Sequence, residues 1–374
     1  MGAAMGHRLN IRAAVVREAG GDFRLEDLQL DAPRGDELLV RITGVGVCHT
    51  DLICRDQVYP VPFPLVLGHE GSGVVEAVGD AVDDISVGDH VVLSFNACGA
   101  CRNCLRGLPS RCVKIFDANF ACRRRDGSSA LWRGTETING HFFAQSSFAT
   151  HAIARRANAV RIPADVPLAL MGPLGCGIQT GAGAVLNNLR PAAGASLVVF
   201  GCGAVGLAAV MAARVSGCTG IIGVDPNAVR RELALELGAT RVIDPSTADP
   251  VAILQSDGGV DFSVECSGIP AVLRQAIDGL NVTGVCAVVG AAPLGSEVRL
   301  DMNSLMFGRT VRGVVEGDAV PAVFIPTLIE LYRQGRFPID RLVRYYPFED
   351  IQRAIEDAEH GRVIKAVLVP EVIR

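Results

Sequence analysis

Two rhythms of apolar and polar residues divide the chain. Residues 37–47 (ELLVRITGVGV) and 73–93 (GVVEAVGDAVDDISVGDHVVL) are short β-rich runs cut by Gly and Asp. They predict a twisted, mostly antiparallel, barrel-like sheet. The stretch 113–140 is polar and turn-rich and reads as a long loop, after which FFAQSSFATHAIA returns to strand character. From about residue 178 the period changes. A helical pattern (GIQTGAGAVLNNL) precedes the strand ASLVVF; GCGAVG, a helix, the strand GIIGV and Asp225 follow. A helix (NAVRRELALELG), a strand at 239–243, the strands VDFSVEC and GVCAVVG, and the helix AVLRQAIDGL between them continue the series. Alternating strands and helices predict a doubly wound parallel sheet with helices on both faces. Beyond residue 320 come two helical patterns (IPTLIELYRQG and FEDIQRAIEDAEHG) and a closing strand, KAVLVP. The expected fold class is α/β, with a mostly β domain over 1–177 and 320–374 and a parallel-sheet domain over 178–319. A length of 374 residues fits two domains.

Composition narrows the function. Apolar residues make up 49%, enough for large cores, and no stretch is low in complexity. A net charge of -5 argues against nucleic acid as the partner. The one basic cluster, Arg123-Arg124-Arg125, reads as a solvated loop. No run approaches eighteen uninterrupted apolar residues, so no membrane span is expected. The start, MGAAMGHRLNIRAAVV, lacks the pattern of a signal peptide, and Gly6 departs from a myristoylation signal. A cytoplasmic protein is the expectation. There thiols stay reduced, so the 12 cysteines point to metal or to small buried side chains before disulfides.

Four of them, Cys98, Cys101, Cys104 and Cys112, lie in CGACRNCLRGLPSRC with spacing C-x2-C-x2-C-x7-C. Such gaps suit one tetrahedral zinc and strain any disulfide between neighbours. Four thiolates would close the coordination shell, which makes the site structural; an iron–sulfur cluster is the other donor chemistry. Gly201, Gly203 and Gly206 form G-x-G-x-x-G between an apolar strand and a helix, and Asp225 follows nineteen residues after Gly206. In this context the pattern reads as a dinucleotide-binding turn. The helix N-terminus offers amides to the pyrophosphate, and a carboxylate at Asp225 favours the ribose hydroxyls of NAD over the 2′-phosphate of NADP. Cys48 (GVCHTDL), His69 (LGHEGSG) and Cys176 (PLGCGIQT) are weak singly. Together they compose a Cys2His set with a fourth position open, as catalytic zinc requires.

With GHE, CHTD, the four-cysteine lobe and GCGAVG with Asp225 in this order, the sequence resembles the zinc-dependent medium-chain alcohol dehydrogenases over nearly its whole length. The resemblance implies a GroES-like catalytic domain interrupted by a Rossmann domain, an active site in the cleft between them, and two zinc ions per chain. Cys48, His69 and Cys176 would hold the catalytic zinc, with Glu70 close by and Asp51 fixing the His69 tautomer. Thr50 would pass on the alcohol proton. His49 and Lys365 would face the cofactor phosphates, Arg230 the adenosine ribose, and Thr180 and Val205 the nicotinamide. Zinc would supply Lewis acidity and the cofactor would accept hydride.

Many members carry a histidine five residues after the first zinc cysteine; here it is Ile53. With His49, this resembles the aryl-alcohol (benzyl-alcohol) dehydrogenase branch. Phe95, Phe142, Phe148 and Ala291 are the expected pocket, flat and apolar for a planar ring. Benzyl and cinnamyl alcohols are the favoured substrates. Geraniol, perillyl alcohol and glutathione-dependent formaldehyde oxidation are the alternatives, and a crystallin-like binding protein without catalysis is the remote one. The retained segment between Cys112 and Phe142 suggests a homodimer, with a homotetramer as the alternative.

Overall fold

The computed structural model describes residues 8–370; the chain start discussed above lies partly outside them. Contacts divide the chain into two units, one of residues 1–176, 320–326 and 342–374, the other of 177–319 and 327–341.

The first unit is built on two mostly antiparallel sheets. In one, Glu37–Gly46 pairs with Glu70–Val78, His151–Arg155 and Lys365–Val369, and His90–Leu93 and Ala159–Ile162 extend the row. The other orders Leu65–Val66, Leu9–Val16, Arg24–Leu30, Leu131–Arg133 and Glu136–Ile138. Alternating side chains such as Val15, Leu28, Leu38, Val40 and Ile42 meet in one apolar core. The second unit is a six-stranded parallel sheet in the order Arg241–Ile243, Gly220–Val224, Ser196–Phe200, Val260–Glu265, Leu280–Val288, Thr310–Gly313. The order reverses beside Ser196–Phe200, the point at which such sheets bind nucleotides.

Three expectations need correction. The 113–140 stretch is not a plain loop: it contains the helix Ile115–Phe120 and a hairpin of Leu131–Arg133 with Glu136–Ile138. Elements this short do not complete a readable period. Residues 142–148 are not strand. Phe143, Ala144 and Ser146 adopt left-handed φ of 51° to 53°, and pairing is confined to a bridge at Ala149 and the strand His151–Arg155. Residues 327–341, assigned to the first domain from the sequence, belong to the second unit. There Leu328, Ile329, Phe337 and Ile339 are buried, and Arg336 reaches the Val215 carbonyl.

The arginine triplet also differs from its solvated reading. Arg124 is 8% exposed. Its guanidinium forks onto both Glu37 oxygens at 2.7 and 2.9 Å and reaches Asp31 at 3.1 Å. Burial works against the Glu37 carboxylate. His141 at 3.6 Å, too long for a hydrogen bond, and the Arg124 fork outweigh burial and bring its pKa down to about 2. Among the described residues no single helix is long and apolar enough to cross a membrane.

A folded pKa below the ordinary value of 4.5 contributes stability that is present above that value and lost as pH falls through about 2. The amount is on the order of 3 kcal/mol. Urea unfolding followed from pH 6 to pH 3 should show a shallower loss of stability for Glu37→Gln than for the wild type. Parallel curves would remove Glu37 from the acid response.

Candidate metal centres and dinucleotide turn

Cys48 caps the helix His49–Arg55, and this helix start sets the first cluster. Asp51, in its first turn, is wholly buried. One of its oxygens accepts the Cys48 N–H at 3.1 Å. The other accepts the Gly68 N–H at 3.0 Å and meets His69 Nδ1 at 2.9 Å. The pairing with a carboxylate makes Nδ1 the protonated nitrogen and turns the Nε2 lone pair outward. Nε2 is buried and has no hydrogen-bond partner among the described residues.

Cys176 arrives from the turn Gly172–Gly175, anchored where the Ser94 hydroxyl donates to the Gly175 carbonyl at 2.6 Å. Ligand atoms of Cys48, His69, Glu70 and Cys176 then lie within 4.8 Å of one another. An orphaned imidazole nitrogen facing two thiols is the donor chemistry of a zinc ion, so these residues fit the metal. The Cys176 thiol, the His69 charge and Lys365 draw the Cys48 pKa well below the usual thiol range against burial.

Glu70 is buried beside this set, in space that glycine provides. A Cβ on Gly46 would stand 2.0 Å from Glu70 Oε2. Lys365, assigned to the cofactor phosphates from the sequence, is buried here instead. Its ammonium donates to both Glu70 oxygens at 2.9 and 3.0 Å and to the Val47 carbonyl at 3.0 Å, which uses all three N–H donors. Burial opposes its charge, but Glu70 and Cys48 outweigh burial and raise its pKa. Thr50, half-buried, has its hydroxyl 3.8 Å from Cys48 Sγ; His49 is exposed and Ile53 is buried.

The expected aromatic pocket is packed into the core, where Phe95, Phe142 and Phe148 are all buried. Phe142 meets the His69 ring edge-on with centroids at 5.4 Å, and Phe143, missed in the sequence, stacks on it at 4.5 Å. Phe95 is buried in the same unit's core. Phe148 packs edge-on against Phe23 at 5.7 Å and is a core residue rather than a wall. Ala291 is exposed on the second unit. Gln145, also missed, donates to the His69 and Ser94 carbonyls and accepts the Gly71 N–H.

In the second cluster Cys98, Cys101, Cys104 and Cys112 bring their sulfurs within 4.8 Å of one another. Sulfur separations of 3.5 and 3.9 Å exclude a disulfide at Cys101–Cys104 and Cys98–Cys104, and all four are free thiols. Backbone N–H groups point at the sulfurs: Cys98 at Cys112, Cys101 at Cys98, and Lys114 at Cys112, at 3.3 to 3.4 Å. The amides of Cys104 and Val113 bring Cys101 down to about 6. A cradle that stabilises thiolates fits a metal with a closed shell.

In the second unit, Gly201 has φ 91° and Gly203 caps the helix Ala204–Ser216. A Cβ on Gly206 would fall 1.8 Å from the Gly201 carbonyl, so only glycine allows this turn. Asp225 ends its strand with one oxygen on the Cys202 N–H at 2.8 Å and the other on the Asn227 N–H at 2.8 Å. Arg230 stands 3.8 Å from it, with a buried Nε that has no partner among the described residues. Thr180 and Val205 are half-buried on helices of the same unit.

The carboxylate at position 51 is the testable centre of the open site. Asp51→Asn should cost roughly tenfold to a hundredfold in metal affinity at Cys48–His69–Cys176, read by chelator competition, while the four-cysteine site keeps its metal. Equal retention at both sites would deny Asp51 that role.

Comparison with known proteins agrees with this geometry. Residues 34–164 match the alcohol dehydrogenase GroES-like domain and residues 204–333 the zinc-binding dehydrogenase family. The geraniol dehydrogenase of Castellaniella defragrans is 47% identical over 96% of this chain and 98% of its own. The crystal structure of benzyl alcohol dehydrogenase from Acinetobacter calcoaceticus is 49% identical, with TM-score 0.94 over 97% of this chain and all of that one. A zinc-binding alcohol dehydrogenase protein from Burkholderia ambifaria is 52% identical, with TM-score 0.96 over 98% of this chain and all of that one. With its Cys2His set, its four-cysteine lobe and its glycine turn in place, the chain belongs to the zinc-dependent medium-chain alcohol dehydrogenases.

Proposed function

We propose that the protein interconverts primary aromatic or allylic alcohols and their aldehydes with NAD. The observation that carries this reading is the open Cys48–His69–Cys176 set, its imidazole packed by Phe143 and Phe142, in a chain 47% identical to a geraniol dehydrogenase and 49% identical to a benzyl alcohol dehydrogenase. Both rings are buried, and the apolar setting they give a metal-binding imidazole suits a substrate whose carbinol carbon is attached to an unsaturated group. Benzyl alcohol and geraniol share that feature, and the two named relatives act on those alcohols.

Bound zinc would supply Lewis acidity at the alcohol oxygen, and bound NAD would accept the hydride. The chain does the rest. Cys48, His69 and Cys176 hold the metal, and Asp51 keeps the His69 tautomer. Thr50 takes the alcohol proton at its hydroxyl and hands it to water or to a cofactor hydroxyl, because buried Ile53 cannot carry it. His49 would face the pyrophosphate, with Thr180 and Val205 at the nicotinamide. Asp225 accepts from the ribose hydroxyls, which favours NAD. Among residues 55–64, Arg55 is the one cation, and it is already engaged by Asp56 and Glu359 at 2.6 and 2.7 Å. That leaves little to hold the glutathione carboxylates.

The second unit supports a homodimer. Thr310–Gly313 ends its sheet with one neighbour strand, and Val311, Met302, Met306 and Phe307 are exposed around it. A second copy of this edge would extend the sheet and cover the apolar side chains.

Two measurements test this reading. Absorbance at 340 nm should rise with benzyl alcohol, cinnamyl alcohol or geraniol and NAD, far less with ethanol, and far less with NADP. Turnover of formaldehyde that requires glutathione, with none of the alcohols active, would move the chain to the other branch. Light scattering should give twice the chain mass for the wild type and about the single-chain mass for Val311→Lys; a monomeric wild type would end the dimer reading.

A further inference from the structure

The two cysteine clusters are joined by a short, fully specified path. Cys112 is the last thiol of the four-cysteine lobe. Its sulfur accepts the Lys114 N–H at 3.4 Å and its carbonyl accepts the Ile115 N–H at 3.0 Å, so the start of the helix Ile115–Phe120, capped by Lys114, is tied to that residue. Asn119, 1% exposed, locks the helix to the chain that enters the lobe. Its Oδ1 accepts the Asn96 N–H at 2.8 Å, and its Nδ2 donates to the Asn96 carbonyl at 2.9 Å and the Ile115 carbonyl at 2.7 Å. Asn96 lies two residues before Cys98, whose own N–H points at Cys112 Sγ.

The next residue, Phe120, turns its ring to the open site. It meets Phe143 at 5.2 Å and Phe142 at 5.8 Å, both edge-on. Those two rings contact His69 at 4.5 and 5.4 Å. Phe143 also sits at φ 51°, a conformation that a bulky residue keeps only when its surroundings hold it. Asn158 holds the backbone side, donating to the Phe143 carbonyl at 3.1 Å. Phe120 holds the ring side.

We propose that Asn119 and Phe120 are positioning residues, carrying the order of the four-cysteine lobe through Phe142 and Phe143 to the His69 imidazole. The closed metal site thereby sets the geometry of the open one. This rests on the reading of both clusters as metal sites, and the metal count made first keeps the two claims apart.

The test uses the full chain with both sites loaded. Phe120→Leu keeps apolar volume and removes the ring edge; Phe120→Tyr restores it. Asn119→Asp serves the same purpose if the leucine variant does not accumulate, since it loses both amide donors. The readouts are the rate at which each metal passes to a chelator and the visible absorption of cobalt(II) placed in the Cys48–His69–Cys176 site. Phe120→Leu should release the metal of the open site roughly threefold to tenfold faster, the range that loss of edge-to-face ring contacts allows. It should also shift the cobalt bands and leave two metals per chain at equilibrium, and Phe120→Tyr should return both to wild type. A variant that melts earlier but keeps wild-type release rates and bands would make Phe120 ordinary packing and overturn the proposal. A wild-type chain with no metal at either cluster would overturn the metal reading itself and the proposal with it.

Discussion

A carboxylate with no exposure to water is the constraint from which the open metal site follows. Asp51 carries its charge inside the protein, where an unpaired ion is prohibitively costly. It is tolerated because two backbone N–H groups and an imidazole converge on it. Those three partners belong to the helix cap at Cys48 and to the turn entering the sheet at Gly68 and His69. Satisfying the charge therefore fixes the two ligand-bearing segments against each other. Glu70 and Lys365 repeat the arrangement one layer away. A buried pair there spends every ammonium donor within the first unit, and Gly46 leaves the room it needs.

The parts of this site that were legible in the sequence are those whose chemistry depends on spacing along the chain. The four-cysteine lobe, the glycine turn with Asp225, and the alternation of strands and helices after residue 178 are local patterns, and the structure follows them. What escaped was set by contacts distant in sequence. Arg124 looked solvated because its partners, Glu37 and Asp31, lie about ninety residues away. Lys365 looked like a phosphate ligand because nothing near it in sequence reveals that it meets Glu70, 295 residues earlier. Nothing along the chain marks Phe143 beside Phe142, because left-handed backbone at Phe143 and Ala144 accompanies the contact of both rings with His69. The helix Ile115–Phe120 was too short to announce itself, and with it went the connection between the clusters.

The two cysteine clusters treat their sulfurs differently, and that difference separates their tasks. In the lobe, three backbone amides aim at the Cys98 and Cys112 sulfurs, a fixed field that no side-chain movement alters. At the open set the surroundings are side chains, Asp51, Lys365 and Glu70, whose charges answer one another. A closed shell held by backbone suits permanence. An open shell framed by side-chain charges suits a centre where ligands exchange.

The left-handed stretch over Phe143, Ala144 and Ser146 also bears on how this enzyme could be redesigned. Most replacements at 143 or 144 stay in a backbone region that penalises a side chain with a Cβ, and β-branched ones most of all. Glycine and asparagine are the exceptions: they relieve the backbone while removing the ring. A library at these two positions would thus enrich for a relaxed loop and looser packing against His69 together. Packing on the His69 ring is tied to conformational energy here, and the two can be varied separately only from neighbouring elements such as the helix Ile115–Phe120.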